Sequence, residues 1–345
     1  MKESEKKSIP LYTLLIKYRE ISLILIILIL VAIVTLRNPL FLSVDKMLFI
    51  IEDTATLAIL AVGMLCVLLV GSIDISIPGI MALSAMITGI MMRNHLVAGD
   101  VKTSLPLAYL ILIGMSVGAL CGLINGLIIA YGNVLPIVTT LGTSYIFYGI
   151  THIVSKGQAV YRKDMSEAFI RFTRDALSGV NYKTLIMIAV LAAVTIFLTY
   201  FRAGRHLYAV GSNIEAAEIR GIKTKRSKLL AHVIMGVLAG LGGLMFASHD
   251  TKVTQDLKTG YEMYVIAACV IGGASVTGGV GKVSGVLLGA LTIGVINNGL
   301  PMMRLVGNAE FWKKLIQGLL ILVAVVSNVL LQREMRKQDL QRRNI

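Results

Sequence analysis

This sequence is poor in charge. Of its 345 residues only 15% are Asp, Glu, Lys or Arg, where a soluble globular domain carries about a quarter. With a mean hydropathy of +0.80, that excludes a water-soluble fold and points to a polytopic membrane protein. Cysteine is equally scarce. Cys66, Cys121 and Cys269 each sit inside an apolar run with no second cysteine nearby, which excludes a disulfide framework or a cysteine metal set and leaves small core residues. Catalytic signatures are missing as well. There is no H-E-x-x-H, the five histidines are scattered, and no nucleophile and base converge, so a membrane-embedded enzyme has no support. The stretch GGVGK at 278–282 fails as a phosphate loop twice, because Val276 stands where the first glycine is required and Val283 where Ser or Thr is required. A secretory cleavage site is absent too. The N-terminus has the basic flank of a signal sequence, but no small-residue site follows Leu36, so the first apolar run is expected to be a retained span.

What is present is a succession of apolar runs long enough to cross a bilayer, about 17–25 residues each. They fall at Ile21–Leu36, Thr54–Val70, Ser76–Met92, Leu105–Tyr131, Val134–Ser155, Thr184–Phe201, Leu229–Ala247, Tyr261–Gly279, Val283–Met303 and Trp312–Leu331, about ten in all. The fifth and eighth contain Pro or Gly clusters that predict broken helices. The chain therefore divides into a segment 1–20, a transmembrane domain 21–331 and a basic tail 332–345. The expected fold is all-α.

The net charge of +14 does not indicate nucleic acid, because the basic residues flank apolar spans and do not form an aromatic-studded face. Contact with anionic lipid and an orienting role account for them. Residues 1–20 hold five Lys/Arg, 202–228 hold seven and 332–345 hold five. The span count allows all three on the cytoplasmic side. Loop 156–183 holds six more and is separated from 202–228 by one span, so one of these two basic stretches must lie outside. Charge alone does not choose between them.

The stretch GALCGLINGL (118–127) is echoed by GALTIGVINNGL (289–300), five spans further on. An odd spacing inverts the second copy, as in transporters built from inverted repeats, here five spans plus five. Glycines at 236, 240, 242, 243, 285 and 289 supply small surfaces for close helix packing. Asp74, in GSIDISIPG (71–79), is an acid between two spans. It is either a functional intramembrane group or a cap for the third span, with Pro78 in the first turn. Asn125, Asn297 and Asn298 in the echoed motif, and Thr140 in PIVTTLGTSY, suit either a pathway for a polyhydroxylated solute or plain interhelical hydrogen bonding.

The polar interruption AVGSNIEAAEIRGIKTKRSK (209–228) is too short to span. Ser212-x-x-Glu215 has the spacing of a capping box, Ala216 and Ala217 favour helix, and Gly221 fits a left-handed C-terminal position. This predicts a helix of about eight residues, roughly 12 Å long, from Asn213 to Arg220. Its face of Ile214, Ala217 and Gly221 is small and fit for close docking to something on the cytoplasmic side.

At this point the chain resembles a known family, the permease subunits of bacterial ABC importers for monosaccharides and related solutes. The stretches that carry the resemblance are GSIDISIPGIMALSAM (71–86), LPIVTTLGTSYIFYGI (135–150), GRHLYAVGSNIEAAEIRGI (204–222), GYEMYVIAACVIGGASVTGGVGKVSGVLLGALTIGVINNGL (260–300) and the final span. EMYVIAACVIGG and FWKKLIQGLLILVAVV lean toward the autoinducer-2 type over the ribose type. The resemblance implies a multi-pass protein of the bacterial inner membrane with the fold of vitamin B12-type importers. It implies a second permease subunit, two cytoplasmic ATPase subunits that hold ATP and Mg²⁺, an extracellular solute-binding protein, and no cofactor in this chain. By position EAAEIRG becomes the ATPase-coupling segment within 204–228, with Ser212, Asn213, Glu215, Ala216, Ala217 and Gly221 as its residues. That places 156–183 outside, where Arg162, Lys163, Arg171 and Arg174 would dock the binding protein. Asp74, Asn125, Thr140, Asn297 and Asn298 would line the translocation path. The I-x-L-P ending of other ABC importers' coupling motif is absent here. A secondary ion-coupled transporter is the alternative, with Asp74 as thin support for an ion site.

Overall fold

The computed structural model describes residues 19–97, 105–303, 311–316, 318, 319, 322 and 326. The expectations for residues 1–18 and 332–345 lie outside the described residues, as does most of the tenth run, whose described residues are helical. In chain order the helices are α1 (Arg19–Arg37), α2 (Val44–Leu69), α3 (Ile77–Val97), α4 (Leu107–Ala130), α5 (Pro136–Ser155), α6 (Glu167–Arg171), α7 (Tyr182–Tyr200), α8 (Arg202–Ser212), α9 (Ile214–Ile219), α10 (Thr224–Asp250), α11 (Tyr261–Ile271) and α12 (Val283–Met302). Four two-residue strands, β1 (Val160–Tyr161), β2 (Ala176–Leu177), β3 (Val180–Asn181) and β4 (Lys252–Val253), form two small ribbons.

Among the described residues seven helices, α1, α2, α4, α5, α7, α10 and α12, are long and apolar enough to cross a membrane. Their burial separates a centre from a rim. The most apolar windows of α2, α10 and α12 are 83%, 72% and 67% buried, against 11% for α1 and 28–33% for α4, α5 and α7. The rim helices turn Leu, Ile and Val outward, including Leu28, Leu112, Leu120, Val138 and Ile188, as lipid demands. The fifth run is not broken. Pro136 opens α5 at its first position, where no backbone N–H is needed, and the helix continues for 20 residues. The eighth run is broken, as its glycines require. Helix α11 stops after 11 residues, about 16 Å at 1.5 Å per residue, and 272–282 continue as an irregular segment.

Two seams of small residues set the packing. Gly118 and Gly236 face each other across α4 and α10 so closely that a Cβ on either would strike the other's carbonyl oxygen. Gly122 approaches the His232 carbonyl, and Gly240 that of Gly114. The second seam joins α11 to α12 through Gly272 opposite Gly285 and Gly289 opposite the Ala268 carbonyl. Without large side chains between them the backbones gain dispersion contacts that lipid tails cannot supply.

The loops sort onto two faces. On one, β1 pairs antiparallel with β4, Gln255 Nε2 donates to Ser155 Oγ at 3.0 Å, and Asn298 Nδ2 donates to Asp53 Oδ2 at 2.9 Å. On the other, Gly279 N–H donates to the Leu69 carbonyl at 3.0 Å, Tyr208 Oη to the Gly281 carbonyl at 3.0 Å, and Ser284 Oγ to Glu20 at 2.7 Å. The basic stretches 156–183 and 202–228 are thus on opposite faces, and GGVGK is a packing loop whose Lys282 lies 3.5 Å from Glu20.

Candidate functional site: a buried polar hub beside an exposed peg

Loop 70–76, between α2 and α3, collects buried polar groups from three other helices. Asp74 is fully buried. Its Oδ1 accepts from the Ser76 N–H at 2.8 Å and from Ser76 Oγ at 2.6 Å, and its Oδ2 lies 3.3 Å from His232 Nδ1 on α10. Asn125, from α4, donates through Nδ2 to Ser76 Oγ at 2.7 Å. Thr140, from α5, accepts from the Ile75 N–H at 3.1 Å and donates to the Pro136 carbonyl at 3.0 Å. The turn-organising reading of Asp74 fits these bonds. The carboxylate organises the turn that starts α3, and it ties that turn to α10. Two atoms of the hub, His232 Nε2 and Asn125 Oδ1, are buried with no hydrogen-bond partner, an arrangement that costs about 1–3 kcal/mol per group.

Asp74, Asn125 and Thr140 come together at one loop; Asn297 and Asn298 do not join them. Asn298 accepts from Lys46 Nζ at 3.2 Å and donates to Asp53 at the opposite face, and Asn297 beside it is half-buried. Asn125 lies near the end of α4 and Asn297 and Asn298 near the end of α12, and these two helix ends are at opposite faces. His232 is the participant that the sequence reading passed over. Its one signal was being a histidine inside an apolar run of a chain that also buries an acid.

The peg is α9, and its details correct the sequence reading. Ser212 does not cap it. Helix α8 runs through residue 212, where Ser212 Oγ donates to the Tyr208 carbonyl at 2.8 Å. The cap is Asn213, extended at φ −162°, whose side chain accepts from the Ala216 N–H at 2.9 Å. The helix has six residues, about 9 Å, not eight, and Glu215 is exposed without a capping role. Gly221 is left-handed as expected, at φ +77°. Its N–H donates to the Glu218 carbonyl at 2.8 Å and the Ile222 N–H to that of Ala217 at 3.0 Å, the paired bonds that close a helix end. Ala217 is 3% exposed and belongs to the chain's own core, so it is not part of a free docking face. The outward groups are Ala216, Ile214 and Ile219, the last 88% exposed.

The peg stands on the hub. Gly211, at the end of α8, is so close to the Leu69 carbonyl and the Gly279 N–H that no Cβ fits there, and Gly279 packs likewise against Ser212. Leu69 ends α2 and leads directly into loop 70–76. Burial keeps the Tyr208 hydroxyl above its usual pKa, so it stays a neutral donor to Gly281.

On the opposite face, Arg162 lies 3.6 Å from Glu167 and Arg174 donates to the His249 carbonyl at 2.6 Å. Lys163 and Arg171 are exposed.

A bundle of apolar helices around a glycine-seamed centre, with one structured polar interruption at one edge, is the architecture of a multi-pass membrane protein. A family model described as "Branched-chain amino acid transport system / permease component" matches residues 46–325, and the chain belongs to that family. It is 32% identical over 330 residues to the ribose import permease protein RbsC of Haemophilus influenzae, covering 95% of this chain and 98% of the relative. The galactose/methyl galactoside import permease protein MglC of Escherichia coli K12 is 32% identical over 319 residues, 89% and 93% of the two chains. The Bacillus subtilis ribose permease is 33% identical over 298 residues, 86% and 89%. The chain is a permease component without an ATPase site of its own. The relatives named here carry ribose and galactose names and lend no support to the lean toward autoinducer-2. No solved structure matches the chain.

Proposed function

We propose that this chain is the transmembrane subunit of an ATP-driven importer of the bacterial inner membrane, translocating a sugar or sugar-like solute delivered by an extracellular binding protein. Two copies, or two related chains, would form the passage, and two ATPase subunits would hold ATP and Mg²⁺. The observation that carries the coupling role is the continuous contact from α9 through Gly211 and Ser212 to Leu69, Gly279 and the Asp74 loop. A rigid peg seated against the start of a buried turn passes displacement inward; one on a loose loop would not. Sugar as the solute class rests on the ribose and galactose names of the relatives and on the neutral polar groups of the echoed motif.

A bundle of ten spans in two inverted halves fits the packing. Helix α4 of the first half packs on α10 of the second, and α12 of the second packs on α2 of the first. Those are corresponding pairs if residues 118–127 and 289–300 are equivalent. Under this reading Asp74, Asn125 and Thr140 border the inner end of the passage and Asn297 and Asn298 the outer end. Asp74 spends its oxygens on Ser76 and His232, which leaves little for the ion site a secondary transporter requires. The test is uptake by the complex in proteoliposomes. Asn297→Leu with Asn298→Leu should slow solute uptake several-fold with assembly unchanged. Cysteines at 297 and 298 that never react with polar thiol reagents, in any nucleotide state, would remove these residues from the path.

A further inference from the structure

A second polar feature sits beside the peg. A cavity of about 330 Å³ opens between α8 and the start of α10, lined by Ala203, His206, Gly221, Lys223, Arg226 and Leu230 among others. Three of these side chains carry or can carry positive charge, and no carboxylate lines the cavity. Glu218, the nearest acid in sequence, is engaged by Thr224 Oγ1 at 2.8 Å. The cavity also abuts the N-terminus of α10, a 27-residue helix with no side-chain cap on its first turn. Its free N–H groups add a partial positive charge to that of the side chains. Depth is the independent observation. Tyr200 and Phe201, 73% and 57% exposed, end α7 just before Ala203, and the exposed Tyr131 lies 5.7 Å from Lys225 Nζ. Exposed aromatics at span ends mark the headgroup level of a bilayer. The apolar floor is Leu230, at the start of the apolar run of α10, and Ala203, just past the end of α7, and the basic rim is one turn further out.

We infer that this cavity binds the headgroup phosphate of an anionic phospholipid, with Lys223, Arg226 and His206 around the phosphate and the acyl chains descending past Leu230. A phosphodiester is the ligand that supplies negative charge at this level and an apolar body below it. A soluble acidic partner would meet the rim without filling the floor. Because Gly221 closes both the cavity and the peg, the bound lipid also braces the base of α9. The measurement is affinity of the purified permease in neutral detergent for short-chain phosphatidylglycerol, with phosphatidylcholine as the neutral control. Phosphatidylglycerol should bind in preference, and K223Q/R226Q should weaken it by about 25-fold, taking two basic groups at roughly fivefold each. The charge-preserving exchange K223R/R226K should bind like the native chain. Equal affinity for the two lipids, or an unaltered affinity in K223Q/R226Q, overturns the assignment. Full displacement by millimolar inorganic phosphate also overturns it, in favour of a free anion. Loss of ATPase-subunit capture with lipid affinity intact would assign the cavity to the protein interface instead.

Discussion

Asp74 illustrates how much one buried carboxylate depends on its neighbours. Three polar atoms surround it, two from Ser76 two residues along and one from a histidine 158 residues away. Removing one partner of a buried hydrogen bond to a carboxylate commonly costs about 1.5–3 kcal/mol. His232→Leu is therefore expected to destabilise the permease by about that much, and Asp74→Asn to relieve most of the loss when added to it. Unfolding in mixed detergent micelles checks this; strictly additive losses would mean that the two side chains do not interact. An acid at a helix break in a chain with so few charges was legible as important, and Asn125 and Thr140 were legible as hydrogen-bonding residues. Their meeting at one loop was not, because sequence separation carries no record of which helices become neighbours.

Helix α9 shows where local pattern reading succeeds and where it slips by one residue. Gly221 was legible because a left-handed position after a short helix strongly favours glycine. The cap was not, because Ser212 and Asn213 are both good caps, and only the continuation of α8 to residue 212 decides between them. Asn213→Ala should thus loosen the peg by about 0.5–2 kcal/mol, while Ser212→Ala should change little. A Cβ at Gly221 meets no atom of the described residues within 4 Å, so the penalty of Gly221→Val comes chiefly from the φ of +77° and from whatever the peg seats in. We expect a complex that assembles but consumes more ATP per solute imported in proteoliposomes. A native ratio with native assembly would reduce α9 to a surface turn. The glycine seams make a matching prediction for stability. Gly118→Ala should cost about 1–3 kcal/mol or more through overpacking. Gly142→Ala, with open space around it, should be neutral or gain up to about 1 kcal/mol from helix propensity. Similar losses at both sites in the same unfolding assay would show that the α4–α10 seam is not tight.

Across the whole molecule, the helical class and most helix positions were legible because hydropathy survives in any single sequence, although α2 starts at Val44, ten residues before the apolar run that begins at Thr54. That the two basic stretches lie on opposite faces follows from the pairing of β1 with β4 and from the contact of Gly211 with Leu69 and Gly279. The face carrying loop 156–183 leaves Lys163 and Arg171 free in solvent while Arg162 and Arg174 are engaged. Docking of a soluble partner there should consequently fall most at low salt when Lys163 and Arg171 are both changed to Glu, since rim charges act on association rate. Unchanged stimulation of ATPase activity by loaded binding protein would exclude this surface. The distance in sequence between Asp74 and His232 also sets a schedule. At about 5–20 residues per second of synthesis, the carboxylate enters the membrane roughly 8–30 s before its imidazole exists. During that interval its available partners are the hydroxyl and amide of Ser76, made two residues after it. The turn that later anchors the hub thus serves first as a holding arrangement for a nascent chain, and chains released before residue 232 should be cleared faster by membrane proteases than chains released after α10 is complete.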